Sequence, residues 1–157
     1  MLLSTHVMVA ASLALTVTPD RPWIAFFLGL ASHFLIDAIP HGDSTMYKRY
    51  KSGEQVRFAH AYVTIDAIVA LLLMATVLNM PFGEVRRGIV TVGMIGGFLP
   101  DLLTGLYEWF ELSWLHSFHR LHFWFHNFFT KRYGDIPLWA GIGAQTVAIG
   151  SMFSLFR

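Results

Sequence analysis

Six apolar runs separated by short polar breaks make up most of this chain: residues 2–17, 22–39, 54–78, 84–110, 114–129 and 136–156. A helix needs about 20 apolar residues to cross a hydrocarbon core, and several of the runs reach that length. With 55% hydrophobic and 13% charged residues, the composition lies outside the ordinary range of soluble domains. The pattern predicts a single transmembrane helical domain over residues 1–157, an all-α integral membrane bundle of about five to six helices, one of them interfacial. Run 2–17 is short for a full crossing; it lacks the basic start of a signal peptide and carries His6, so it reads as a retained helix. Pro19-Asp20-Arg21-Pro22 should break the chain sharply after it. Pro100 should kink or break the helix over residues 84–110 and free a carbonyl.

Composition removes several function classes. The net charge is +1 and no basic stripe alternates with aromatics, so nucleic acid is not an expected partner. Cysteine is absent, which excludes disulfides, thiolate nucleophiles and cysteine-held zinc. Any metal must be held by His, Asp, Glu, backbone or water. No G-x-S-x-G elbow is present, and Ser32 points about 100° away from His33 on a helix. Gly93 to Gly97 lacks the G-K-[ST] of a phosphate loop and is better read as a close-packing face.

The runs nevertheless carry ionisable residues, and these recur on one kind of surface. His33 and Asp37 are spaced by four and stack on one helix face behind Gly29, and His41 and Asp43 can curl back after Pro40 toward the same pair. His6 lines up with Ala10 and Ala14, and Asp101 with Gly93, Gly97 and Gly105. Membrane helices approach most closely along small residues, so His6, His33, Asp37 and Asp101 should converge in the bundle interior. An ionisable group inside a bilayer costs about 2.5–3.5 kcal/mol on insertion scales and marks a functional site by default. The competing reading is an interhelical hydrogen bond, such as His6 with Asp101, that only fixes packing.

The run 114–129 adds a histidine face. His119, His122 and His126 fall within an arc of about 60°, with His116 beside them. His119 and His122 are the better ligand candidates, whereas His116 and His126 at the ends suit headgroups. His60 and Asp66 stand about 120° apart and cannot meet at one point, although either could orient a ligand histidine. Glu108 and Glu111 read as solvated.

These elements resemble a known family. Thr5-His6, Ser32-His33-Phe34-Leu35-Ile36-Asp37, Leu99-Pro100-Asp101 and His119-Arg120 are similar to signature elements of the membrane-bound metal-dependent hydrolases, small bacterial inner-membrane proteins distantly similar to zinc-dependent phospholipase C. The chain departs from the family in three ways: Leu103 stands where a second acid is usual, the Pro-Asp element follows the His-x-x-x-Asp helix instead of preceding it, and the His-Arg-Gly-x-Thr-His phrase is reduced to His119-Arg120 followed by His122 and His126. The resemblance implies a multi-pass inner (plasma) membrane protein with a metal site.

The leading expectation is therefore a metal-dependent hydrolase of a lipid-borne or other membrane-associated ester, a phosphoester first of all, working by metal-activated water. Its metal ligands are drawn from His6, His33, Asp37, His41, Asp101, His119, His122 and His60, with Asp37, Asp101 and His119 as catalytic groups and Asp37 and Asp101 as candidate bridges between two ions. The nitrogen-rich set favours zinc, with manganese or iron as alternatives. Expected partners are membrane lipid, a lipid-like substrate and, in a homo-oligomer, further copies of the chain. The alternatives are a di-iron membrane oxidoreductase, with haem a weaker case because it gains nothing from the acids, and a non-enzymatic metal-binding membrane protein. If the run 114–129 lies on the surface, the positive-inside rule puts the N-terminus and the 42–57 loop in the cytoplasm.

Overall fold

A computed structural model describes residues 1–17 and 21–156. The described residues form helices and turns with no strand: α1 (Leu3–Val17), α2 (Pro22–Asp37), α3 (Ser44–Lys51), α4 (Val56–Leu78), α5 (Glu84–Phe110), α6 (His116–His126), α7 (Thr130–Tyr133) and α8 (Leu138–Met152), the last continued by a 3-10 turn over Phe153–Phe156. The expected break at Pro19-Asp20 lies outside the described residues; Arg21 is extended, and Pro22 opens α2 where a missing amide proton costs nothing. Three helices are long and apolar enough to cross a membrane: Val56–Leu78, Glu84–Phe110 and Leu138–Phe156. At 15 and 16 residues, α1 and α2 reach only about 22–24 Å. The polar stretch 42–57, expected as a loop, folds its middle into α3.

The bundle is built around α1, which buries Ser4 to Met8 in an unbroken run and packs against α2, α4, α5 and α8. The most extensive contacts join α1, α2 and α5, and they run along the small-residue stripes. A Cβ built on Gly29 would lie 2.2 Å from the Gly93 carbonyl oxygen, and one on Gly96 would lie 2.2 Å from that of Phe26. On the α1 side, a Cβ on Gly93 would meet Ala14 Cβ at 2.9 Å and one on Gly97 would meet Ala10 Cβ at 2.8 Å. Backbones therefore touch where the sequence places glycine and alanine, and ionisable residues one turn further along the same faces are drawn inside. Gly105 is the exception in its stripe, with open space where a Cβ would be. Below the contact lies an apolar core of Val7, Met8, Ala11, Ala25, Val90 and Met94 with α4 residues Ala70 and Val77.

Helix α5 runs through Pro100 without a break. The proline removes the amide that would have bonded the Gly96 carbonyl, and on the same turn the Gly97 carbonyl accepts a side-chain bond described below.

The N-terminus of α1 has amides that its own helix cannot satisfy, and neighbouring helices supply the acceptors. Asp66 of α4 accepts from Leu3 N (2.6 Å), Ser4 N (3.2 Å) and Ser4 Oγ (2.6 Å), and Gln145 of α8 accepts from Leu2 N (2.8 Å). Asp66 thus works as a cap delivered from another helix. Asp66→Ala is expected to cost about 1–2 kcal/mol, the upper range for a lost N-cap, and Asp66→Asn less. Thermal unfolding in one detergent checks this, and equal loss in both variants would contradict it.

Candidate metal centre

Each stripe delivers a ligand-type side chain to one place. His6, His33 and Asp37 are almost completely buried, at 0%, 0% and 1% exposure. His6 and His33 stack face to face with ring centroids 3.7 Å apart. His33 Nδ1–H donates to the Gly97 carbonyl oxygen (2.9 Å), which fixes the ring and leaves Nε2 as a lone pair facing the acids. That Nε2 is 3.9 Å from Asp37 Oδ2 and 3.7 Å from Asp101 Oδ1. His6 Nε2 is 3.4 Å from Asp37 Oδ1 and 4.0 Å from Asp101 Oδ2. From α6, His122 Nε2 comes within 3.3 Å of Asp37 Oδ2 and 3.8 Å of Asp101 Oδ1. Burial pushes the His122 imidazole down to about 3, which keeps it neutral, the form that ligates metal.

Short separations here do not amount to hydrogen bonds. His6 Nδ1 and Nε2, His33 Nε2, Asp37 Oδ2 and His122 Nδ1 are all buried without a hydrogen-bond partner. Leaving a buried polar atom unpaired costs about 1–3 kcal/mol, and of these atoms His6 Nε2, His33 Nε2 and Asp37 Oδ2 belong to side chains gathered closely enough to share one partner. Ligand atoms around a tetrahedral ion at about 2.0–2.1 Å are separated by about 3.3 Å, close to the shorter contacts seen here. The residues fit a bound divalent cation. His6, His33 and Asp37 form one compact group of ligand atoms, His33, Asp101 and His122 a second, and Asp37, His41 and His126 a third, each within 4.8 Å.

The last group sits on the turn after α2. His41 Nδ1–H donates to the Ile39 carbonyl oxygen (2.6 Å), so its Nε2 also points inward as a lone pair. A Cβ on Gly141 would lie 1.9 Å from the His41 carbonyl oxygen, so α8 presses directly on this turn. Asp135 secures the turn from the other side, accepting from Gly42 N (2.8 Å), Ser44 N (3.0 Å) and Ser44 Oγ (2.6 Å). Gly42 sits at φ +95°, where a side chain would strain the backbone. Partial burial works to raise the Asp135 pKa, but the hydrogen bonds from Ser44 and Gly42 outweigh it and hold the carboxyl below its ordinary value. A depressed carboxylate stabilises the fold above its unfolded pKa, near 4, and loses that contribution as pH falls through the folded value. Asp135→Asn should therefore lower the melting temperature by a constant amount from pH 5 to 7, and the gap should close under stronger acid. A gap that widened below pH 4 would contradict this.

Not every expected residue joins the cluster. His119 turns instead to Glu108, its Nε2 2.8 Å from Oε1, and Glu108 also accepts from Tyr47 (3.0 Å) and Lys51 (2.5 Å). Glu108, expected to be solvated, is thus the hub that ties α3 and α6 to α5. His60 is exposed, with its ring 5.7 Å from that of Tyr50, and Asp66 is occupied by the α1 N-terminus. Conversely, His126, assigned from sequence to headgroups, is 7% exposed and stands 3.1 Å from His41 Nε2 and 3.3 Å from Asp43 Oδ2. The available signal was its four-residue spacing from His122. Burial works to lower the His126 pKa, and the Asp43 carboxylate outweighs it, so the group is held above its ordinary value. Asp43 is held low for the complementary reason: burial opposes ionisation, and the α-amino group of Met1 with His126 and His41 overcomes it. This end of the centre attracts positive charge.

A cavity of about 350 Å³ opens beside the cluster. Asp101, Asp43, His122 and His126 form part of its wall, and Met46, Val63, Phe98, Leu102, Leu106 and Trp109 make much of the remainder apolar. Comparison of the chain with protein-family models, with curated proteins and with solved structures finds no match.

Proposed function

We propose that the chain is a multi-pass membrane protein of the inner (plasma) membrane that hydrolyses a lipid-borne ester, a phosphoester first of all, at a metal centre held by His6, His33, Asp37, Asp101 and His122. The observation that carries this reading is the meeting of four buried ligand-type side chains, His6, His33, Asp37 and His122, several of their atoms unpaired, with the partly exposed Asp101 at the wall of an apolar cavity. Membrane insertion is supported by the three long apolar helices and by outward-facing Leu71, Leu72, Ile65 and Val147 on two of them. Exposed Trp23, Trp109, Trp114 and Trp139 suit an interfacial aromatic belt. The motif resemblance to membrane-bound metal-dependent hydrolases points to the same chemistry. Zinc is the first choice for a donor set this rich in imidazole.

A bound divalent cation supplies Lewis acidity and lowers the pKa of water toward neutrality. His33, with its tautomer fixed by Gly97, and His6, stacked on it, present nitrogen donors. Asp101 is the carboxylate that faces both the cluster and the cavity, and it is the group placed to take the proton of the attacking water and return it to the leaving alkoxide. In the balance of the step, the water oxygen bonds to phosphorus, the ester oxygen departs and one proton follows it. The apolar cavity wall receives the hydrocarbon part of the substrate.

The test joins metal analysis to a hydrolysis screen on mixed membrane lipids and alkyl phosphoesters. Stoichiometric metal in the purified protein is expected, together with a hydrolytic rate that falls about 100-fold or more in Asp101→Ala. Metal without hydrolysis would replace this reading with a non-enzymatic metal-binding role.

A further inference from the structure

His41, Asp43 and His126 remain over once the first centre has been assembled. His41 Nε2 lies 3.1 Å from Asp43 Oδ2 and 3.1 Å from His126 Nε2, and the third side of this triangle, His126 Nε2 to Asp43 Oδ2, is 3.3 Å. Its edges match the separation of about 3.3 Å expected between ligands of a tetrahedral ion. Hydrogen bonding does not account for all three edges. His41 has already committed its Nδ1–H to Ile39, so its Nε2 only accepts, and the single proton of His126 Nε2 can serve either His41 or Asp43. His126 Nδ1 and Asp43 Oδ1 are buried and unpaired. A cationic nitrogen already stands at the triangle: the α-amino group of Met1 is 2.7 Å from His41 Nε2 and 4.0 Å from Asp43 Oδ2, and it pairs with Asp37 Oδ1.

Asp37 connects this triangle to the first centre. Its Oδ1 faces His6 and the Met1 amine, and its Oδ2 faces His33 and His122. Oδ2 thus stays with the first centre, while Oδ1 touches both His6 of the first centre and the Met1 amine that stands at the triangle. We propose that the protein holds two divalent cations: one among His6, His33, Asp101 and His122, and a second among His41, Asp43 and His126, with Asp37 bridging them. This assignment rests on the metal reading of the first centre and adds ligands to it. Asp37 is then the bridge, since among the described residues Asp101 is grouped with His33 and His122 and not with the triangle. The second ion lies on the side of the centre where Asp43 and His126 line the cavity, so both cations border the space that receives substrate.

The test counts metal independently of activity. The full chain is stripped with chelator, reloaded with manganese(II) in detergent, desalted and analysed for metal. Two ions per chain are expected, falling to about one in His126→Ala and in His41→Gln. In the wild type, electron paramagnetic resonance should show an exchange-coupled pair, and each variant should show the six-line signal of an isolated ion. The wild-type spectrum keeps the test decisive even where a variant fails to fold. One ion per chain with an isolated signal, unchanged in His126→Ala and lost in His33→Ala, would overturn the second site and leave the first centre standing. No retained metal in the wild type would overturn both.

Discussion

Asp37→Asn is expected to lose bound metal and to lower hydrolysis by at least about 100-fold, more than a change to any group that merely orients a ligand. The substitution preserves volume and removes only the charge and one acceptor. At that position the charge is indispensable to the centre, because Asp37 is 1% exposed and its two oxygens face His6 and the Met1 amine on one side and His33 and His122 on the other. An amide nitrogen in place of either oxygen would aim two protons at an imidazole lone pair. Elemental analysis and the hydrolytic rate of the same preparation check the prediction. Wild-type metal content in Asp37→Asn would show that Asp37 is not a ligand and bridges nothing. His119→Ala, by contrast, should leave metal content unchanged, since His119 is spent on Glu108.

How much of this was legible in the sequence depends on what fixed each residue. Periodicity of small residues placed His6, His33, Asp37 and Asp101 on facing surfaces, and the structure brings them together, because backbone contact at Gly29, Gly93, Gly96 and Gly97 leaves the helices no other rotation. The bounds of α5 also follow from its apolar run, and Pro100 fails to interrupt it because the flanking turns are held by α1 and α2. The aromatic run 114–129 offered no such stripe. It has large rings on every side, so its spacing alone could not say which histidines face inward. The choice was made by distant partners: Glu108 captured His119, and His41 with Asp43 captured His126. Asp66 was likewise opaque, since its role depends on unsatisfied amides of another helix.

The second large effect is expected from a single methyl group. Gly29→Ala would place its Cβ 2.2 Å from the Gly93 carbonyl oxygen and 3.0 Å from Gly97 N, both of them backbone atoms that cannot rotate away. Helices α2 and α5 must then separate along the seam where they touch. His33 and Asp37 lie one and two turns beyond Gly29 on the same face, so the separation also draws His33 Nδ1 from the Gly97 carbonyl and its Nε2 from Asp101. A destabilisation of about 3 kcal/mol, the upper range for overpacking, should accompany loss of metal. Gly88→Ala supplies the control: it lies on the same helix α5 with open space around the new Cβ, and the better helix propensity of alanine should make it neutral or stabilising by up to about 1 kcal/mol. Melting curves of the two variants in one detergent decide between a seam that positions the centre and a seam that merely adjoins it. If Gly29→Ala melted like Gly88→Ala and kept its metal, close approach of α2 to α5 would not be what holds His33 and Asp37 opposite Asp101.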